Sequence, residues 1–128
     1  GLEVEVLGGA PGVHSHRYLA DPSATDEQRC QALLNQLSAY PRPWKAAFQC
    51  EIVLCNANEI VLRSHGSCPG EIIPEFRGKN GFGFDPIFLV EGTHRTMAEL
   101  TDEQKNRISH RAKALQAAWD DLLRFAAS

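Results

Sequence analysis

The chain has 128 residues, 43% apolar and 23% charged, which fits one globular domain and excludes wholesale disorder. A net charge of −3 gives no basic surplus for binding nucleic acid. The longest aliphatic and aromatic run, Ile87 to Val90, falls far short of the roughly 20 residues of a bilayer span, so no membrane partner is expected. Cys30, Cys50, Cys55 and Cys68 contain no Cys-x-x-Cys pair, and reduced thiols in a cytoplasmic protein are expected.

Leu2, Val4 and Val6 alternate with Glu3 and Glu5, which predicts a strand over 2–6 with the three apolar residues on one face. The chain is thus expected to open inside an element. Gly8 to Gly12 reads as a turn or close-approach loop. Thr25-x-x-Gln28 is a capping box, and Cys30, Leu33, Leu34 and Leu37 follow at helical spacing. Tyr40-Pro41-Arg42-Pro43 ends that helix. Lys45 to Cys55 predicts a strand, Asn56-Ala57-Asn58 a turn and Glu59 to Arg63 the return strand of a hairpin.

A third short strand is expected at Glu71 to Ile73, a glycine-rich loop at Gly78 to Gly83, and a buried strand at Ile87 to Val90. Thr101-x-x-Gln104 is a second capping box. Beyond it, Ile108, Ala112, Leu115, Trp119, Leu122 and Ala126 predict one apolar helix stripe, with Ser109 as a potential internal cap. Interleaved strands and helices around a hairpin indicate an α/β class with a mixed, partly antiparallel sheet flanked by helices. No interdomain linker is seen, so 1–128 reads as a single domain.

Few residues propose chemistry by pattern. Cys50 and Cys55 fall on opposite faces of one strand and cannot share an ion. His14 and His16 share a face if extended but lack a third ligand, so no metal site is read. Ser64-His65 and Ser109-His110 are sequence neighbours, which rarely face each other, and no G-x-S-x-G elbow is present.

Two segments stand out. In Lys79-Asn80-Gly81-Phe82-Gly83-Phe84-Asp85-Pro86, glycines flank an aromatic and a carboxylate follows. Such a loop can offer a stacking platform for a base, with Asp85 as a hydrogen-bond acceptor. A tight turn with Phe82 and Phe84 in the core is the alternative. In Lys105 to Arg111, Lys105, His110 and Arg111 put cations near a helix start, against its dipole, where they suit an anion or a carbonyl-rich base. A solvated helix face is the alternative there.

Together these segments resemble the non-canonical purine nucleoside triphosphate pyrophosphatases, the inosine/xanthosine triphosphate pyrophosphatase family. Gly1-Leu2-Glu3-Val4, Gly8 to Val13 and Ser15 to Tyr18 resemble its D-S-G-L-x-V…G-G-x-P-G-x-x-S-A-R-Y block. Gly66 to Ile72 is similar to its G-x-x-x-G-x-I strand. Gly81 to Phe88 resembles its G-F-G-Y-D-P-I-F loop with Phe for Tyr, and Thr96 to Leu115 its T-x-A-E-L…E-K-N-x-I-S-H-R-x-x-A-L segment.

The resemblance implies the family fold in shortened form and hydrolysis of ITP, dITP and XTP to monophosphate and pyrophosphate. It also implies a Mg²⁺ cofactor, a homodimer and a role in cleansing the nucleotide pool. It assigns base binding to Phe82, Gly83, Phe84, Asp85, Lys105, His110 and Arg111. Phe82 would stack on the purine, and Lys105 and Arg111 would meet its 6-keto oxygen. The family's front third, with its S/T-x-N-x-x-K phosphate loop, metal-binding Glu and D-D-S-G motif, has no counterpart beyond Gly1. The family's general base would precede Gly1, so no catalytic residue is assigned. From a different class, the alternative is a catalytically inactive nucleotide-binding or dimerisation module that keeps the base-recognition half.

Overall fold

The computed structural model describes residues 1–12, 23–55, 60–108, 114 and 116–120; side chains at 52, 54, 55, 60–62 and 64 are outside that description. Five strands form one sheet: β1 (Leu2–Val4), β2 (Pro11–Gly12), β3 (Trp44–Cys55), β4 (Ile60–Ile72) and β5 (Phe88–Val90). Their order is β2-β1-β3-β4-β5, and every pairing among them is antiparallel. Helices α1 (Asp26–Leu37) and α2 (Asp102–Ile108) complete the expected α/β class, and backbone at 114 and 116–120 is also helical.

The β3–β4 hairpin is the spine. Trp44 pairs with Ile72 and Phe48 with Cys68, and all four are buried. Alternation puts Trp44, Ala46 and Phe48 on one face, where they meet Leu2 and Val4 of β1 and Phe88 of β5. The rings of Phe48 and Phe88 stand 4.5 Å apart at 53°. Helix α1 closes this core with Cys30, Leu33, Leu34 and Leu37, all buried, as their spacing predicted. Its Thr25 capping box forms in both directions: Gln28 N donates to Thr25 Oγ1 at 3.1 Å and Thr25 N to Gln28 Oε1 at 2.8 Å.

The structure corrects three readings. The first strand stops at Val4: Glu5–Leu7 turn into a 3₁₀ helix closed by left-handed Gly8, and Val6 is left 37% exposed. The short strand expected at Glu71 to Ile73 is instead the end of β4, which begins at Ile60 and runs through Gly66, Pro69 and Gly70. Pro69 is tolerated because β5 pairs only with Gly70 to Ile72. The Pro69 carbonyl accepts from Glu91 N at 3.2 Å, so its missing N–H faces the same side, past the end of that ladder. Of the C-terminal stripe, Trp119 is 57% exposed, whereas Ala114 and Ala118, outside the stripe, are buried. A pattern weighted toward bulky residues passes over two alanines four apart.

The Asn56 turn, His14, His16, Ser109, Ala112, Leu115, Leu122 and Ala126 lie outside the described residues. Among those described, no helix is long and apolar enough to cross a membrane.

Candidate active site and its base platform

The glycine-rich loop leaves β4 and returns as a 3₁₀ turn, Asp85–Ile87, that leads into β5. Its two aromatic residues part company. Phe84 is only 4% exposed and belongs to the core, while Phe82 is 60% exposed. Asp85, buried at the loop's end, accepts from Phe82 N at 3.2 Å and from Lys105 Nζ at 2.9 Å through the same Oδ2. The carboxylate therefore ties the aromatic's own peptide to a cation twenty residues away.

Lys105 reaches the loop because the loop and α2 are stitched together. Asn80 N donates to the Ala98 carbonyl at 3.0 Å, and Asn80 Nδ2 donates to Leu100 O at 2.8 Å and Asp102 Oδ1 at 3.1 Å. Thr101 and Gln104 make the expected reciprocal cap at 2.9 and 3.1 Å, which starts α2 at this point. Lys105 follows four residues after the cap, and its Nζ lies over the Phe82 ring, 6.0 Å from the centroid. Buried Thr96 adds a further stitch by donating from Oγ1 to the Arg77 carbonyl at 2.6 Å.

Gly81 lets the ion pair form. Its φ is +124°, and a Cβ there would overlap both the Asp85 carboxylate and the Lys105 ammonium. Burial pushes the Asp85 carboxyl above its usual range; Lys105 and the Phe82 N–H pull it back only in part. An ammonium has three N–H donors and no acceptor. Among the described residues those of Lys105 meet Asp85 Oδ2 and, at 3.5 Å, the Asn80 carbonyl, which leaves a donor to offer above the exposed ring.

Helix α1 grips the loop from the other side. Gly83 N donates to Asp26 Oδ2 at 2.9 Å, and Cys30 Sγ donates to the Gly83 carbonyl at 3.4 Å. Burial, followed by the negative charges of Asp26, Asp85 and Glu27, pushes the Cys30 thiol up to about 12, so it is a protonated donor at neutral pH.

Of the residues predicted to bind a base, the structure brings together Phe82, Asp85 and Lys105. Gly83 is beside them with its N–H and carbonyl turned to α1, and Phe84 has its side chain in the core. His110 and Arg111 lie outside the described residues. The sequence reading missed Asp26, Cys30 and Asn80. Asp26 and Cys30 read as ordinary helix positions, and nothing local links them to a loop more than fifty residues on. Among the described residues no three His, Cys, Asp or Glu side chains group to hold a metal ion. A separate cavity of about 670 Å³ lies over the sheet, lined by Glu3, Glu5, Lys45 and Glu71 among others, and none of Phe82, Asp85 or Lys105 borders it.

Solved structures share this fold. A HAM1 protein from Coxiella burnetii superposes with a TM-score of 0.88 at 45% identity, over 97% of this chain and 64% of that one. A nucleoside-triphosphatase, dITP/XTP pyrophosphatase, from Mycobacterium abscessus gives 0.78 at 41% identity, over 91% of this chain and 62% of that one. Among curated relatives, a dITP/XTP pyrophosphatase from Desulfotalea psychrophila is 46% identical over 115 residues, which are 90% of this chain and 51% of the relative. One of the same name from Escherichia coli is 46% identical over 125 residues, 95% of this chain and 63% of the relative. The chain thus spans between half and two thirds of the length of these relatives. The Ham1 family model matches residues 1–121, the loop and α2 included, and with relatives this similar the chain belongs to the Ham1 family.

Proposed function

We propose that the chain supplies base recognition to a pyrophosphatase that converts dITP, ITP and XTP to monophosphate and pyrophosphate. One observation carries this reading: a donor-only ammonium is held above an exposed aromatic ring by a buried carboxylate. A purine stacked on Phe82 would bring its six-membered ring beneath Lys105. A 6-keto oxygen accepts from the ammonium there, whereas the 6-amino group of adenine offers donors to a donor. The relatives' names, dITP/XTP pyrophosphatase, point to the same substrates.

Base contacts by Asp85, His110 and Arg111, a cytoplasmic location, a homodimer and a Mg²⁺ requirement belong to the same proposal, as the resemblance implies; Gly83, with its N–H and carbonyl on α1, and Phe84, with its ring in the core, shape the loop instead. Recognition is the work assigned to Phe82, Asp85 and Lys105, on the contacts that join them, and the hydrolytic step is assigned to none of the three. Exposed Trp119 and Phe76 are apolar surface that a second subunit could cover.

The test is pyrophosphate release from dITP, XTP and dATP, with Mg²⁺ and with EDTA. Whatever the absolute rate, dITP and XTP are expected to exceed dATP by at least about tenfold, a lower bound for a site whose polar groups the wrong base leaves unpaired. The expected EDTA effect is loss of release. Measurable and equal rates on dITP and dATP would contradict the proposal.

A further inference from the structure

Resting on the base-platform reading, we propose that Asp26 is a positioning residue for base recognition: with the Cys30 thiol it grips the Gly83 peptide and fixes the pose of the Phe82 ring.

Asp26 and Cys30 are four apart on α1, so their side chains lie one above the other on the same helix face. Between them they take both polar groups of one residue. The Asp26 carboxylate accepts the Gly83 N–H at 2.9 Å and the thiol donates to the Gly83 carbonyl at 3.4 Å. Gly83 has a φ of +61°, and the side on which a Cβ would stand is open among the described residues. The other bonds at Phe82 and Gly83 stay within the loop: Phe82 N to the Asp85 carboxylate, and Asp85 N to Phe82 O at 3.2 Å. Among the described residues, α1 therefore supplies the bonds that tie this pair to another element.

Asp26 is free for this task. The helix start is already capped by Thr25 and Gln28, and α1 is anchored by Cys30, Leu33, Leu34 and Leu37. Its other contact, Oδ1 to Arg29 Nη1, is long at 3.5 Å. A carboxylate in a helix's first turn is also favoured by the dipole. The two successive N–H groups beside the platform thus go to two carboxylates, Asp85 from the loop and Asp26 from the helix.

The test compares wild type, Asp26→Ala and Asp26→Asn. Amide hydrogen exchange at Gly83 is followed by NMR without ligand, and IMP affinity by calorimetry. Asp26→Ala removes the acceptor and is expected to speed Gly83 exchange about tenfold and weaken IMP about fivefold, modest because Asp26 is half exposed. Asp26→Asn keeps an acceptor oxygen and is expected to stay within about twofold of wild type in both. Unchanged Gly83 exchange in Asp26→Ala overturns the clamp. Faster exchange with unchanged IMP affinity overturns its role in recognition. A wild type that does not bind IMP, with Gly83 still responsive, overturns the base-platform reading and leaves the clamp standing.

Discussion

Asp85 shows how much depends on one side chain, since a single carboxylate oxygen holds both the Phe82 peptide and the Lys105 ammonium. Because burial raises its pKa, the folded chain holds the Asp85 proton more tightly than the unfolded chain, whose value is near 3.8. The stability this lends is complete below that pH and is lost as pH rises through the folded value. Asp85→Asn has no such proton to lose. Denaturant unfolding from pH 3.5 upward, in steps of about half a unit, should therefore show wild type losing ground to Asp85→Asn as the pH climbs. A wild type that gains ground over that range would contradict the assignment. At this scale the sequence was only half legible. Phe82 and Phe84 flank the same glycine and look alike in the motif, yet one ring is core and the other surface, because the loop's course decides which side each faces.

The elements that sequence revealed best are those started by local chemistry. Both Thr-x-x-Gln boxes form as spaced, since the bonds they need lie within four residues. Strand β4 was harder to read. Its glycines and Pro69 look like breaks, and only the long pairing with β3 and the short reach of β5 make the run continuous. The 3₁₀ turn after Val4 was missed because Glu5-Val6 continues the alternation, while Gly8, in the left-handed region, closes the turn. Thr25→Ala should lower stability by about 1 kcal/mol, read by urea unfolding, through loss of the cap that starts α1. No change in the midpoint would mean that the box is idle.

Across the whole molecule, the loop, α1 and α2 converge from three separate stretches on one aromatic ring. Asp26 and Cys30 come from one side, Asn80 and Asp85 from within, and Lys105 from the other. The motif residues of the loop and α2 were visible in sequence. Their joining was not, because it depends on bonds such as Gly83 to Asp26 that span more than fifty residues. The central claim is that this ring and its ammonium select a 6-keto purine. Calorimetric titration of IMP and AMP into wild type and Phe82→Ala tests it most directly. IMP should bind wild type at least about tenfold tighter than AMP, and Phe82→Ala should cost IMP about 1–3 kcal/mol, the worth of one aromatic stacking partner. Equal affinity for IMP and AMP, or IMP binding untouched by Phe82→Ala, would contradict the claim.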